Sequence, residues 1–405
     1  MTGYATTIKD FLFECRHSLH QIPELLDDLP LTVEYVTGIL DDCGIPYDII
    51  EKAGILATVG SGEEAFLLRA DMDALPIPEE SGESFAATNG NMHACGHDMH
   101  TAMLLGAAKI LKELEASLGG RVILFFQCNE EGMGGVRALI QSGYLDGKNI
   151  KGAMAIHVLP GGDMGPGTFS CLPGPANSSV GHFRIMVKGS KAHGAMQYKG
   201  IDPINAGVQI YNTFSNVISK EIDAREFAVA SVCYFNAGDQ KAFNIVPDYA
   251  ELGGTLRTYK GEISQHLTKR LHEVADNISS ANRTECKVDI PISAPSCIND
   301  ERMTDLVNAS AEKLGMTNKK LLPQLVSDDF GLFSEMYPSV YIWLGSGGHE
   351  EKYRHGILHS PHVCMNDDTL PYGTDLFVET TLRFFENMNG ADGAGRVARR
   401  HPPIK

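Results

Sequence analysis

The sequence of 405 residues lacks the features of a membrane protein or a nucleic-acid-binding protein. No apolar run approaches the roughly 20 residues that a membrane-spanning helix requires. An excess of basic residues is also missing. The formal net charge is −17, which opposes attraction to nucleic acid and to anionic membranes. We therefore expect neither a membrane nor a nucleic acid as a partner.

Cysteine patterns that indicate disulfides are absent as well. The nine cysteines are scattered and odd in number, and no pair forms a Cys-x-x-Cys motif. This usage is typical of reduced thiols in a cytoplasm. Residues 1–19 interrupt their apolar positions with charged side chains, so no secretory signal is expected. The sequence thus predicts a cytoplasmic protein.

A chain of 405 residues is too long for one hydrophobic core, so two domains are expected. Near-continuous apolar runs alternate with helical segments, which indicates a mostly parallel sheet covered by helices. The apolar runs are 66–70, 121–127, 153–158 and 340–344. A last helix is expected from Thr374, and the tail from Gly390 onward has little to pack.

A region with a different order of predicted strands and helices interrupts this α/β pattern. Residues 161–179 are rich in Gly, Pro and Ser and are interpreted as a linker. The segments that follow have the order strand, helix, strand, strand, helix, strand, which is typical of a ferredoxin-like α+β sandwich. We predict an α/β domain over 1–178 and 295–405, with an inserted α+β domain over 179–294.

The densest group of reactive side chains is the stretch from Met92 to His100, which reads MHACGHDMH. Cys95 and His97 are two positions apart, so in an extended segment both can point to one side, as two ligands of one metal must. The apolar segment after them predicts a helix whose N-terminal dipole favours a nearby thiolate. A buried cysteine and capping histidines would explain each residue singly. The cluster as a whole favours a metal site.

Further donors follow the predicted strands. Asp71 and Asp73 come after the strand at 66–70, and Glu130 and Glu131 come after the strand at 121–127. Ligands of open α/β sheets bind outside the carboxyl ends of the strands, so these carboxylates are expected at one edge with the Cys/His cluster. In a Glu-Glu pair, one carboxylate can bind a metal while its neighbour acts as a general base. A solvated acidic loop is the plainer alternative.

Two more histidines complete the set of candidate ligands. His157 lies near the end of the strand at 153–158, and His359 lies in a Leu-His-Ser-Pro segment. Each alone could be a structural histidine. Thiolate, imidazole and carboxylate donors together suit zinc best, with manganese, cobalt or nickel as alternatives. Of these donors, five form the predicted ligand set, namely Cys95, His97, Glu131, His157 and His359. Because five ligands exceed the needs of one tetrahedral ion, we predict two metal ions bridged by Cys95 or by a carboxylate.

These residues resemble a known family, the dinuclear-metal amidohydrolases related to carboxypeptidases and aminoacylases. The nearest branch contains hippurate hydrolase, indoleacetyl-amino-acid hydrolases and N-acetyldiaminopimelate deacetylase. The resemblance extends from about Arg16 to Phe385. Its motifs lie at 16–20, 69–77, 92–108, 126–132, 156–158, 191–195, 244–247, 254–257 and 358–361.

The resemblance implies a catalytic α/β domain with an inserted lid domain that forms a homodimer. It also implies a role for each matching residue. The metal ligands would be Cys95, His97, Glu131, His157 and His359. Glu130 would be the base that deprotonates water and then the acid that protonates the leaving amine. Asp73 would orient a ligand imidazole.

On the lid, the resemblance implies that His193, Asn244 and Arg257 stabilise the oxyanion or bind a substrate carboxylate, for which the fork of an arginine is well shaped. The expected substrate is a small N-acyl amino acid. Departures from the family pattern fall beside these residues. Cys128-Asn129 replaces Pro-Ala before the glutamates, Met133 interrupts the glycines, and Gln197-Tyr198 replaces Pro-His. They leave the acyl and amino-acid preferences open.

Three alternatives remain at this point. Cys95 with His97 or His157 could form a cysteine hydrolase, although the acidic candidates would then have no use. A non-catalytic protein that binds metal or amino acids could keep the same fold. A dipeptidase or carboxypeptidase specificity is the third alternative.

Overall fold

The computed structural model describes residues 3–391. The α-helices are α1 Lys9–His20, α2 Pro30–Asp42, α3 His97–Glu113, α4 Gly135–Ser142, α5 Pro203–Glu221, α6 Gly261–Asn282, α7 Glu301–Lys313, α8 Gly331–Met336, α9 Glu351–Arg354 and α10 Leu370–Ala391. α10 contains the first two residues of the tail predicted from Gly390, and the rest of that tail lies outside the described residues. Among the described helices, none is long and apolar enough to cross a membrane.

The strands divide between a large and a small sheet and a few short ribbons. They are β1 Tyr47–Ile50, β2 Gly54–Val59, β3 Ala65–Asp71, β4 Arg121–Gln127, β5 Ile150–Leu159, β6 Thr168–Ser170, β7 Gly174–Pro175, β8 Val180–Lys188, β9 Ala192–His193, β10 Ala228–Ala237, β11 Ile245–Val246, β12 Tyr249–Thr258, β13 Glu285–Ala294, β14 Ile298–Asn299, β15 Thr317–Asn318 and β16 Ser339–Gly345.

The described residues form two compact units. The first contains residues 3–174, 298–322 and 333–391, and its sheet has the order β1-β2-β4-β3-β5-β16-β6-β15. The central strands β4, β3, β5 and β16 run parallel. Every residue of β3 and of β16 is buried, which explains why these strands are continuous apolar runs. The predicted mostly parallel α/β sheet is confirmed.

One prediction about the first unit is wrong. Residues 161–179 do not form a plain linker, because β6 lies in the large sheet and pairs with β16 through Leu344 and Phe169. Phe169 and Cys171 are buried in the core of this unit. A strand of three residues is too short to show a period of two, so its Gly/Pro-rich surroundings dominate the pattern.

The second unit contains residues 175–297 and 323–332. Its antiparallel sheet has the order β10-β12-β8-β13, and α5 and α6 pack on it around a core that includes Phe183, Phe214 and Leu267. The strand and helix order confirms the predicted inserted α+β fold. Residues 323–332 cluster with this unit, whereas the sequence prediction assigns them to the first domain, so the domain bounds stay a prediction.

Candidate metal centre

The carboxyl ends of the central strands bring the predicted ligands of the first unit together. β4 is followed by the loop with Glu130 and Glu131, and β5 carries His157 near its end. Cys95 precedes α3, and His97 is the first residue of that helix, which begins four residues earlier than the apolar segment suggests. A separate loop supplies His359, whose backbone N–H donates to the carbonyl of Ala94 at 2.9 Å.

The five predicted metal ligands form two groups that share one residue. Cys95, His97 and His157 offer ligand atoms that all lie within 4.8 Å of one another, and so do Cys95, Glu131 and His359. Cys95 Sγ is 3.4 Å from His157 Nε2, and Glu131 Oε1 is 3.5 Å from His359 Nε2. A cysteine common to both groups could serve as a ligand to each of two ions.

The turn between Cys95 and His97 depends on glycine. Gly96 has φ +90°, and a Cβ there would lie 2.4 Å from Val158 Cγ2 and 2.8 Å from Met365 Sδ. Only glycine occupies this left-handed region without strain. The turn directs the thiol and the imidazole into the same group.

Asp73 contacts both His97 and the loop with the two glutamates, and it uses different atoms for each. Its main-chain carbonyl accepts a hydrogen bond from His97 Nδ1 at 2.7 Å, which leaves Nε2 of that ring facing the ligand group. Its carboxylate oxygens accept the backbone N–H groups of Glu130 and Glu131, each at 3.1 Å. The carboxylate lies 3.5 Å from His97 Nδ1, so the shorter contact to the imidazole comes from the main chain. Asp73 thereby fixes the loop that carries the two glutamates.

The donor set fits divalent cations. His97 Nε2 and Glu131 Oε1 are buried and have no hydrogen-bond partner among the described residues. Burial raises the pKa of the Cys95 thiol and raises the pKa of Glu131 to about 7, while burial lowers the pKa of His157. Cations between these groups would keep the thiol and the carboxylate ionised and would use the neutral imidazoles as ligands.

Glu130 lies beside this set. Its side chain is 6% exposed, and Oε2 is 3.9 Å from His97 Nε2. Glu130 is absent from both groups that contain Cys95. The Glu130 carboxylate therefore lies next to the predicted ligands but belongs to neither of the two groups that share Cys95.

The second unit holds the other three predicted site residues. β9 pairs with β11, which brings His193 and Asn244 together, and the N–H of Gly194 donates to the Asn244 carbonyl at 2.6 Å. Ala195 N–H donates to His193 Nδ1 at 3.1 Å, so the proton of the neutral ring is on Nε2. Arg257 lies on β12 instead, where its Nη1 donates to Ser327 Oγ at 2.5 Å.

Three buried polar residues to which the sequence analysis assigned no individual role lie beside the predicted ligands, and one of them, Asp71, lies at the sheet edge where it was expected. Arg69, Asp71 and His100 are at most 1% exposed and contact one another or the ligand histidines. The helical spacing of His97 and His100 puts both on one face of α3, and this spacing was the available signal for His100.

Comparison with known proteins agrees with the family resemblance that the sequence motifs indicate. The sequence model described as peptidase family M20/M25/M40 matches residues 67–383. "IAA-amino acid hydrolase ILR1-like 4" of Arabidopsis thaliana is 33% identical over 387 residues, which cover 93% of this chain and 86% of the relative. "N-acetyl-L-cysteine deacetylase" of Bacillus subtilis (strain 168) is also 33% identical, over 94% of this chain and 90% of its own length.

A solved structure agrees over the whole fold. The YXEP protein of Bacillus subtilis, described as a dinuclear metal binding peptidase from the M20 family, superposes with a TM-score of 0.79 at 30% identity. The match covers 94% of this chain and 99% of that one. Both units described above are therefore included in the similarity.

Proposed function

The chain belongs to peptidase family M20/M25/M40, and from this premise we propose that it hydrolyses the amide bond of N-acyl amino acids and releases a free amino acid. The family and the enzyme class predicted from the sequence, a metal-dependent amidohydrolase, are confirmed. The observation that carries the substrate proposal is the ligand set around Cys95 with Glu130 beside it. Relatives named for indoleacetyl and acetyl amino acids support it.

We propose that Cys95, His97, Glu131, His157 and His359 hold two divalent ions. Zinc suits the mixed thiolate, imidazole and carboxylate donors best, and manganese, cobalt and nickel are the alternatives. When bound, such ions supply Lewis-acid polarisation of the substrate carbonyl and lower the pKa of water. The positions of the side chains around them determine the remaining steps.

Glu130 is the proposed proton carrier. Its carboxylate accepts a proton from the attacking water, and the water oxygen forms a bond to the acyl carbon. The same carboxyl group then donates this proton to the amide nitrogen as the carbon–nitrogen bond breaks. The products are the carboxylic acid and the amine of the free amino acid, and transfer of the acid proton to the amine gives a carboxylate and an ammonium group at neutral pH. Asp73 keeps Glu130 in place because it binds the backbone N–H of that residue.

His193, Asn244 and Arg257 are the proposed substrate-binding residues. The N–H of Ala195 occupies His193 Nδ1, so Nε2–H is available to donate to an oxyanion. Asn244 is exposed and immediately precedes β11, whose first residue pairs with His193, and its side chain can bind the amide or the carboxylate. Arg257 can bind a substrate carboxylate through the guanidinium atoms that Ser327 does not use.

The first prediction concerns substrates and metal together. We expect amine release from at least one member of a panel of N-acetyl, N-benzoyl and indoleacetyl amino acids. A chelator should abolish this release, and added zinc or manganese should restore it. Activity that survives full removal of metal would instead support a cysteine hydrolase built on the 3.4 Å contact between Cys95 and His157. Absence of release from metal-loaded protein across the panel would contradict the proposed substrate class.

We also propose a homodimer formed through the second unit. β10 is an edge strand of the small sheet, and with α5 it lines a mostly apolar groove of about 340 Å³. Tyr211, Tyr234 and Phe235 are 43%, 49% and 42% exposed there. An exposed edge strand with apolar neighbours favours pairing with a second copy.

A single substitution that introduces a charge tests the proposed dimer. Tyr234→Glu is expected to shift the protein from dimer to monomer in sedimentation velocity, because a carboxylate would be buried in the interface. Ile49→Glu is the matched control, since Ile49 is 58% exposed on β1 of the first unit. A dimer that survives Tyr234→Glu would contradict this interface. We propose a cytoplasmic location on separate grounds, because the nine cysteines all lie among the described residues and form no disulfide there.

A further inference from the structure

Arg69, Asp71 and His100 form a buried chain of contacts that the proposed reaction does not use. Arg69 Nη1 lies 2.7 Å from Asp71 Oδ2, and Arg69 Nε donates to Gln127 Oε1 at 2.8 Å. His100 Nδ1 is 2.5 Å from Asp71 Oδ1. Asp71 and His100 are fully buried, and Arg69 is 1% exposed.

The hydrogen bonds determine the protonation of His100. The backbone N–H of Val158 donates to His100 Nε2 at 2.9 Å, so this nitrogen carries no proton. The proton must be on Nδ1, where it is donated to Asp71. His100 is therefore a neutral ring with one donor and one acceptor, both in use.

This chain of contacts ends at two of the proposed metal ligands. His157 Nδ1 donates to the carbonyl of Val158 at 2.8 Å, so the residue that His100 binds also orients His157. The rings of His100 and His157 lie in edge contact, with centroids 4.5 Å apart. At the other end, Asp71 Oδ2 is 3.7 Å from His97 Nε2.

A role in stability alone does not explain this arrangement. A buried ion pair pays a large desolvation cost, and apolar residues of similar volume often give equal stability. The contacts to His97 and His157 would be incidental in that case. Groups behind metal ligands commonly set the tautomer and the orientation of the ligand rings.

We propose that Arg69, Asp71 and His100 are positioning residues that hold the imidazoles of His97 and His157 ready for metal. The inference rests on the proposed function, because it presupposes that both histidines are ligands. It extends the metal centre to three residues that never touch the substrate. Their removal should weaken metal binding in the complete protein.

Cobalt(II) titration tests this without any measurement of activity. A cobalt bond to Cys95 gives a thiolate charge-transfer absorption, and Trp343, the sole tryptophan, has its ring 5.0 Å from that of His157 and should be quenched. His100→Phe removes both hydrogen bonds of the ring. We expect it to weaken cobalt binding by roughly 10–100-fold.

Two conservative variants test the two hydrogen bonds of His100 separately. His100→Gln can place an acceptor near the Nε2 position for Val158, and His100→Asn can place a donor near the Nδ1 position for Asp71. Each should restore part of the affinity that His100→Phe loses. Asn318→Ala is the matched control, because the Asn318 side chain makes three hydrogen bonds in the first unit, one more than the His100 ring, and none of them is to a proposed ligand. It should leave cobalt affinity unchanged.

The outcomes separate this inference from the proposed function. Wild-type affinity in His100→Phe would overturn the positioning role, and so would a loss equal to that of Asn318→Ala. If His100→Phe does not fold, unchanged affinity in both His100→Gln and His100→Asn would overturn it equally. An unsubstituted protein that binds no cobalt would instead overturn the metal centre and the proposed function with it.

Discussion

Glu130→Gln is expected to lower kcat by roughly 10²–10⁴-fold, the usual contribution of a general acid–base group, while the metal content stays unchanged. The amide keeps the shape of the side chain but cannot carry a proton. The backbone N–H that binds Asp73 is also preserved, so the loop should stay in place. The measurement is steady-state kinetics together with metal analysis of the same preparation.

Glu131→Gln is the matched comparison for this variant. The two glutamates are adjacent, and Asp73 binds the backbone N–H of each at 3.1 Å. Glu131 belongs to a group with Cys95 and His359, so its amide should lose metal as well as activity. Substantial turnover in Glu130→Gln would refute the assigned base. Equal metal loss in both variants would make Glu130 a ligand.

Gly96→Ala is expected to destabilise the protein by about 2–5 kcal/mol and to reduce its metal content. A non-glycine residue in the left-handed region costs about 1–2 kcal/mol, and overpacking adds about 1–3 kcal/mol. The added methyl group would lie 2.4 Å from Val158 Cγ2, so either Val158 or the turn with Cys95 and His97 must move. Urea unfolding with excess chelator measures the protein's own loss, and metal analysis measures the displacement of the ligands.

Gly90→Ala isolates the backbone contribution. Gly90 also has φ +90°, but nothing lies within 4 Å of a Cβ placed there. Gly90→Ala should therefore lose only about 1–2 kcal/mol and keep its metal. If the two variants behave alike, close packing against Val158 has no role in the metal centre.

The sequence was informative about elements and donors for a physical reason. Buried parallel strands are continuous apolar runs, and ligands follow their carboxyl ends, so β3, β4 and β5 could be located with their donors. Five candidate ligands came from residue type and position, and the structure brings all five into two groups. The βαββαβ order of the second unit was also visible in the sequence, where β8 has an alternating pattern.

Very short strands, and contacts made by main-chain atoms that every residue has, could not be predicted in the same way. β6 has three residues inside a Gly/Pro-rich segment, so no periodicity distinguishes it from a linker. Asp73 was expected to orient a ligand imidazole, and the atom that makes its shortest contact to His97, at 2.7 Å, is its main-chain carbonyl oxygen. Every residue has such a carbonyl, so no sequence pattern can indicate this contact.

The sequence by itself determined the family, the parallel sheet and the kinds of donor at its edge, because these depend on side-chain chemistry and on local periodicity. Only the tertiary structure decided that Cys95 lies in both groups of candidate ligands and that Arg69, Asp71 and His100 form one buried set of contacts beside the candidate ligands His97 and His157. These contacts join β3, α3 and β5, which are distant in the chain. Distances between such elements follow from packing and strand register, which no local pattern of residues encodes.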